Sequence, residues 1–383
     1  MNGLDPLIWL SRYPSSIQLL NESISMSFER KNIEKMQGYA PGEQTGAADT
    51  IKLNTNENPY PPSPKVAEAL KSINVAALRR YPSPMADSFR KAASRLHNVS
   101  TEQIIPTNGG DELLRLVLTT YVEQLDTIAV CKPSYSLYPV LAEIQGCRFE
   151  EISLNDDWSM PEDFLEQLNK SAAKLLILVN PNAPTGALLH ADYLAEIAEN
   201  FSGLLLIDEA YVDFIDPQLN YDSISLINSH DNILILRTLS KTYSLAGLRF
   251  GYGIAPKSLI EPMMFKTRDS YNTDHIAQSL AAAALDSSEY ARENCARIRQ
   301  SREQLRADLH ALGLTVPASQ SNFILCQIPE SIGAEKLYLQ LKQRNILVRY
   351  FEQDRLRDKL RISIGTDAEN AALVAAIKEF TQQ

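Results

Sequence analysis

Five short runs of mostly apolar residues, each of strand length, constrain this chain more than any other feature. They are Thr127–Cys131, Lys174–Val179, Leu204–Ile207, Asn232–Leu236 and Phe250–Ala255. Segments of helical spacing separate most of them, as in Ala191–Glu199 with Tyr193, Leu194, Ile197 and Ala198. A strand that is apolar on both faces must be covered on both faces. Such strands, separated by helices, predict a mainly parallel sheet flanked by helices on either side, an α/β fold.

Ahead of this pattern, Pro64–Leu78 predicts a helix with Ser63 as its cap and Pro64 in the first turn. Ser83 and Pro84 repeat the signal before Met85–His97. After about Asp286 the pattern changes. Ser288–Leu312 predicts one long charged helix. Behind it come Asn322–Ile328 (strand), Ala334–Arg344 (helix), Ile346–Arg349 and Leu360–Ile364 (strands) and Asp367–Phe380 (helix), the elements of an α+β cap. The first 30 or so residues have weak periodicity and read as separate: a flexible arm, a small docking segment or the product of an upstream start codon. At about 150 residues per domain, 383 residues predict two to three domains, or one large domain with a satellite.

The formal net charge of −10 argues against a protein that wraps nucleic acid or coats anionic lipid. Cys131, Cys147, Cys295 and Cys326 are scattered and form no CxxC, which argues against a zinc site or a disulfide framework and fits a reducing cytoplasm. The apolar stretch Pro6–Leu10 follows no positive segment and is too short for a signal-peptide core or a membrane span, so a soluble protein is expected. No GxGxxG follows a strand, no GxxxxGK[ST] occurs, and no HExxH exists. A dinucleotide enzyme, a P-loop NTPase and a zincin therefore all lose ground.

What remains is a set of polar residues at the ends of the apolar runs, where ligands of α/β sheets bind. Leu204–Ile207 leads into Asp208-Glu209-Ala210-Tyr211, and Asn232–Leu236 into Arg237-Thr238-Leu239-Ser240-Lys241. Lys174–Val179 leads into Asn180-Pro181-Asn182-Ala183-Pro184-Thr185-Gly186, and Ile104–Ile105 is followed by Thr107-Asn108-Gly109-Gly110-Asp111-Glu112 and a helix. Each has an ordinary reading: a cap for Asp208, a surface lysine for Lys241, a plain turn for Asn180–Gly186, a helix start with acids against the dipole for Gly109–Glu112. Together they supply an anchored amine, a carboxylate on a neighbouring strand and a glycine turn whose free N–H groups can take a phosphate. Arg249, eight residues after Lys241, can add a charged fork to that phosphate. Pyridoxal 5′-phosphate (PLP) demands this combination: a Schiff-base lysine, an acid for the pyridinium and a phosphate cup.

Ser240–Tyr252 (SKTYSLAGLRFGY) resembles the lysine motif of fold-type I PLP-dependent aminotransferases, and NPNAPTG, DEAY and NGGDE stand in that superfamily's order. YAPGE (Tyr39–Glu43), LNTNENPYPPSP (Leu53–Pro64), RRYPSP (Arg79–Pro84), RTLSK and LRISIGT (Leu360–Thr366) resemble the histidinol-phosphate aminotransferase family. The resemblance runs from about Ile33 to the C-terminus. Leaving the N-terminal arm over 1–32 outside it, the resemblance implies a fold-type I α/β architecture: a first segment of the small domain over 33–63, a large PLP-binding domain over 64–285 and a small α+β domain over 286–383. It implies that Lys241 carries the cofactor and moves the proton, that Asp208 keeps the ring nitrogen protonated, and that Tyr211 donates to the 3′ oxygen. It implies that Tyr135 stacks on the ring, and that the Gly110 and Asp111 amides, Ser240 and Arg249 hold the phosphate. It implies a homodimer in which Tyr81 reaches the partner's cofactor. Arg361 would receive substrate anions, with Tyr39, Asn56 and Arg349 elsewhere in the substrate pocket. The family often has Asn just before Pro-Thr-Gly; here that position is Ala183, and Asn182 is the candidate to replace it.

The implied reaction transfers an amino group between histidinol phosphate and 2-oxoglutarate in histidine biosynthesis. Two rivals keep the cofactor: an aromatic amino-acid aminotransferase and a threonine-phosphate decarboxylase. A third, a DNA-binding regulator with an aminotransferase-like domain, would need a winged helix ahead of the fold, and the N-terminal residues show no basic helix.

Overall fold

The computed structural model describes residues 28–44 and 49–381. Of the arm expected over 1–32, residues 1–27 lie outside the described residues. The chain divides into two units, Met1–Met36 and Gln37–Gln383. In the first, the described residues include the short helix Lys31–Lys35. The second carries every candidate site residue.

The strands of the second unit, in chain order, are β1 (Ile51–Lys52), β2 (Ile104–Thr107), β3 (Thr127–Lys132), β4 (Arg148–Ser153), β5 (Leu175–Val179), β6 (Leu204–Asp208), β7 (Ile233–Thr238), β8 (Gly251–Ile254), β9 (Phe323–Gln327), β10 (Ile346–Leu347), β11 (Arg349–Tyr350) and β12 (Lys359–Ser363). Seven of them form one sheet in the order β2-β8-β7-β6-β5-β3-β4. The pairs among β4, β3, β5, β6 and β7 are parallel, and β8 alone runs against its neighbours. The chain passes from β3 outward to β4 and then returns to β5 on the other side of β3, so the winding direction reverses between β3 and β5. Ligands of open α/β sheets bind outside the carboxyl ends of the strands at such a reversal.

The apolar runs are strands because both of their faces are buried. Leu175, Ile177, Val179, Leu204, Leu206, Leu234 and Leu236 join one core. Their neighbours Leu176, Leu178, Leu205, Ile207, Ile233 and Ile235 join the other. The period-2 alternation of a strand sends successive side chains to opposite cores, each contributing about 1.5–3 kcal/mol on burial. Leu113, Leu114 and Val117 of the helix Gly110–Tyr121 cover the first face. The second is covered by Phe89 and Ala93 of Asp87–His97, and by Leu194 and Ile197 of Ala191–Asn200.

Beyond β8 the elements mix as expected: the 24-residue helix Ser288–Ala311, an antiparallel sheet of order β11-β12-β9, and the helices Ala334–Gln343 and Asp367–Thr381. Three boundaries differ from the sequence reading. The helix expected over Pro64–Leu78 starts as predicted, with Ser63 Oγ accepting from the Lys65 N–H, but ends at Lys71. Asn74 then accepts from the Ala76 N–H and opens a separate 3-10 turn, Val75–Arg79, because asparagine competes for backbone donors best as a cap. The next helix begins at Asp87, since Ala86 takes a left-handed conformation (φ 46°) and its N–H is spent on Ser83 O. Ile346–Arg349 is two strands: β10 pairs in parallel with β1, and β11 pairs with β12. Among the described residues no helix is long and apolar enough to cross a membrane.

Candidate active site

Parallel pairing brings the carboxyl ends of β5, β6 and β7 level: Val179 stands opposite Asp208, and Asp208 opposite Leu236. Just beyond that line lies a cavity of about 590 Å3. Twelve of the fourteen residues singled out from the sequence line it: Tyr39, Asn56, Gly110, Asp111, Tyr135, Asp208, Tyr211, Ser240, Lys241, Arg249, Arg349 and Arg361.

Lys241 follows β7 through a turn that its neighbours fix. Ser240 N–H donates to Thr238 Oγ1 at 3.1 Å, and Leu245 N–H to Leu239 O at 3.1 Å. Lys241 Nζ reaches across to the Thr55 carbonyl, 2.9 Å away. Burial, followed by the charge of Arg361, pushes its ammonium down to about 8 against the pull of Glu57. On the neighbouring strand, burial pushes the Asp208 carboxyl up to about 6. Two donors oppose that shift: Tyr138 Oη at 2.8 Å from Oδ2 and the Ala210 N–H at 3.1 Å from Oδ1. Tyr211, one turn on, is buried, and its hydroxyl accepts from Asn56 Nδ2 at 3.0 Å. Its own hydroxyl hydrogen is therefore left for another acceptor. Asn56 is fully buried at φ 56° and is held by Ser363 Oγ and by Asn322 Nδ2. Tyr135 stands edge-on to Tyr39 and Tyr138, with centroids 5.6 and 5.5 Å apart.

At one end of the cavity, Gly109 (φ 81°) caps the helix Gly110–Tyr121, so free backbone N–H groups point outward with the positive end of the helix dipole. Arg249 closes over this turn, 3.5 Å from Ser240 Oγ and 3.6 Å from Asp111 Oδ2. A Cβ on Gly109 would lie 2.8 Å from Arg249 Nη2, so the cradle needs glycine there. Arg349 and Arg361, register partners on β11 and β12, also line the cavity. Arg361 Nη2 donates to Asn54 O at 3.0 Å, its Nε has no partner, and burial lowers the guanidinium's pKa. The residues present fit a phosphorylated aromatic aldehyde: an amine of lowered pKa, a buried carboxylate one strand away, an aromatic wall and an anion cradle.

Two expected residues are not in the cavity. Asn182 is buried in its own turn, where Oδ1 accepts from Thr185 N and Oγ1 and Nδ2 donates to Pro133 O. Ala183 and Pro184 line the cavity there instead, so the idea that Asn182 replaces the missing asparagine has no geometric support. Tyr81 is 80 % exposed and stacks on Tyr271, with ring centroids 4.4 Å apart.

The sequence reading missed several partners. Tyr138 sits in the same KPSYSLY motif as Tyr135, one helical turn further on, and that spacing was the available signal. Glu209 and Arg237 form a buried ion pair at 2.7 Å behind the strand ends, with Tyr221 Oη donating to Glu209 Oε1 at 2.7 Å. Both residues stand within motifs read for their neighbours. Phe351 lines the cavity from a loop that offered no signal.

The model for aminotransferases of class I and II matches residues 48–377. Histidinol-phosphate aminotransferase of Microcystis aeruginosa is 43% identical over 351 residues, 92% of this chain and 98% of the relative. Histidinol-phosphate aminotransferase 1 of a Nostoc species is 41% identical over 357 residues, 93% of this chain and 99% of the relative. Among solved structures, histidinol-phosphate aminotransferase from Sinorhizobium meliloti in complex with pyridoxal-5′-phosphate is 25% identical, with a TM-score of 0.86 over 94% of this chain and 99% of that one. A Thermus thermophilus aspartate aminotransferase variant, 20% identical with a TM-score of 0.76 over 93% of this chain and 100% of its own, shares the fold. The fold is thus the fold-type I one that the motifs implied, and the chain belongs to the aminotransferases of class I and II, among them to the histidinol-phosphate aminotransferase family.

Proposed function

We propose that this protein is a PLP-dependent aminotransferase that moves an amino group between histidinol phosphate and 2-oxoglutarate. One observation carries the reading: a single cavity holds Lys241 and Asp208, at or just beyond the carboxyl ends of β7 and β6, together with two guanidiniums that form no ion pair with a carboxylate among the described residues. An amine beside a buried acid suits the cofactor, and unpaired cations suit the anionic ends of both substrates. Family membership at about 41–43% identity favours histidinol phosphate over the aromatic and threonine-phosphate rivals.

In this reading Arg249, Ser240 and the amides of Gly110 and Asp111 hold the cofactor's phosphate. Tyr135 covers the ring, Asp208 pairs with its nitrogen, and Tyr211, steadied by Asn56, donates to its 3′ oxygen. When bound, the cofactor supplies an electron sink for the pair left at the substrate α-carbon. Lys241 would hold the cofactor, and its Nζ would take and return the substrate α-proton. A pKa of about 8 leaves on the order of a tenth of such a lysine as free amine at pH 7, against less than about a thousandth at the usual value. Arg361 and Arg349, with Tyr39, receive the anionic end of each substrate. Residues 64–285 would form the cofactor-binding domain, with 33–63 and 286–383 completing a smaller one. The active unit would be a homodimer, each site completed by Tyr81 of the partner subunit.

A panel of histidinol phosphate, free histidinol, phenylalanine and threonine phosphate, each assayed with 2-oxoglutarate and for carbon dioxide release, tests the reading. Loss of two charge-assisted phosphate contacts should leave free histidinol at least about a hundredfold lower in kcat/KM. Equal rates for histidinol and its phosphate ester would point to a broad-range aminotransferase, and carbon dioxide from threonine phosphate to a decarboxylase.

A further inference from the structure

Arg349 and Arg361 are register partners on adjacent antiparallel strands, and both line the cavity. Like charges directly opposite each other destabilise a sheet. No carboxylate among the described residues forms an ion pair with either. What the two guanidiniums share is one ring. Phe351 lies two residues beyond Arg349, where an extended chain returns to the same side. Its centroid is 5.3 Å from Arg349 Cζ and 5.4 Å from Arg361 Cζ. A ring face carries negative partial charge and attracts a guanidinium within about 6 Å, so this one ring tempers the repulsion and restrains both cations. Phe323 touches Arg361 as well, at 5.3 Å, which leaves Phe351 as the contact common to the pair.

We propose that Phe351 is a specificity-determining positioning residue: it holds Arg349 and Arg361 at the spacing that makes two like charges one receptor for a doubly charged oxyanion. The ligands would be a phosphate monoester or a dicarboxylate, in preference to a lone carboxylate. The inference rests on reading the cavity as the substrate site of an aminotransferase.

The test uses the enzyme with its cofactor bound, so that the cofactor's own phosphate cradle is filled. Calorimetry measures binding of inorganic phosphate, succinate and acetate to the wild type, Phe351→Met and Phe351→Tyr. Methionine keeps the apolar bulk and removes the ring; tyrosine keeps the ring. The wild type should prefer phosphate and succinate to acetate. Phe351→Met should weaken both dianions about tenfold and acetate less than about twofold, while Phe351→Tyr stays within about twofold of the wild type throughout. The KM for histidinol phosphate should rise about tenfold in Phe351→Met with kcat within about twofold. Equal weakening of all three ions would show that Phe351 only shapes the wall. Unchanged phosphate binding in Phe351→Met, or no dianion preference in the wild type, would also overturn the proposal. Phe351→Leu serves if the methionine variant does not melt cooperatively. Should the wild type fail to turn over histidinol phosphate while Phe351→Met still separates the ions, the choice of histidinol phosphate as substrate falls and this inference stands.

Discussion

Asp208 is a carboxyl that burial alone would keep protonated, and two hydrogen bonds decide how far that goes. Tyr138 is itself buried, and its hydroxyl is held far above its usual pKa, so it keeps the hydrogen that it donates to Asp208. A hydrogen bond to a charged acceptor contributes about 1.5–3 kcal/mol, or about one to two pH units. Tyr138→Phe should therefore raise the acid limb of the kcat/KM profile by about one unit and weaken cofactor binding, with little change in fold. An acid limb that stays in place would mean that Tyr138 does not set the charge on Asp208. The raised carboxyl has a linked effect on stability. Between about pH 4 and pH 6 the unfolded chain ionises Asp208 while the folded chain still holds the proton. Its contribution is complete below about pH 4 and lost by about pH 6. Asp208→Asn removes this dependence. Without cofactor, the variant's melting temperature relative to the wild type should rise as pH goes from 4 to 7, while turnover falls below about a hundredth. A pH-independent difference in melting temperature, or near-normal turnover, would reject the assignment. Asp208 was legible in the sequence because it directly follows an apolar run, and Lys241 because it stands in the short polar segment after the next one; a parallel sheet levels those ends. The partners of Tyr138 and Asn182 were not, because they depend on how each loop turns after its strand, although the spacing of Tyr138 from Tyr135 was a signal.

The turn Asn108–Gly110 shows how one backbone conformation builds an anion cradle. Gly109 sits at φ 81°, ψ 173°, a region that costs an L-residue roughly 1–3 kcal/mol, and its open side is filled by Arg249. Gly109→Ala should lower the melting temperature by a few degrees and displace Arg249, weakening cofactor affinity by about tenfold or more. Titration of the cofactor-free variant by fluorescence gives the affinity; a value equal to the wild type's would take Arg249 out of the cradle. The inner strands of the central sheet could be read from the sequence because two-sided burial leaves a continuous apolar run, as in Leu175–Val179, whereas the edge strand β4, mostly exposed, has no such run and was not expected. Some helix ends could not be read, because a local competitor such as Asn74 or a left-handed residue such as Ala86 decides them. The split of Ile346–Arg349 was hidden for a longer-range reason. Ile346, Leu347 and Val348 are apolar without a break, but β10 takes its partner from a strand nearly three hundred residues earlier while β11 takes its from the next strand on.

The cavity is lined both from the strand ends of the central sheet and from β11 and β12, so the candidate site spans residues from Tyr39 to Arg361. Yet one residue carried over from the family, Tyr81, points to no group in this chain's cavity. It is mostly exposed and rests on Tyr271, itself 47 % exposed. Tyrosines enrich interfaces because the ring buries apolar area while the hydroxyl still finds a partner. If the active unit is a two-fold dimer with crossed tyrosines, mixing two damaged chains should restore activity. Tyr81→Phe harms the partner's site, and Lys241→Ala abolishes its own. In a heterodimer of the two, the site with an intact Lys241 receives the intact Tyr81, and the other site loses both. Equal amounts, allowed to exchange, give about half heterodimers by statistics, each with one repaired site, so activity should climb to about a quarter of the wild-type value. If Tyr81 served its own chain, or no site at all, the heterodimer would contain no site repaired by exchange. Activity would then stay at the average of the two parents, even with exchange shown by differently tagged chains.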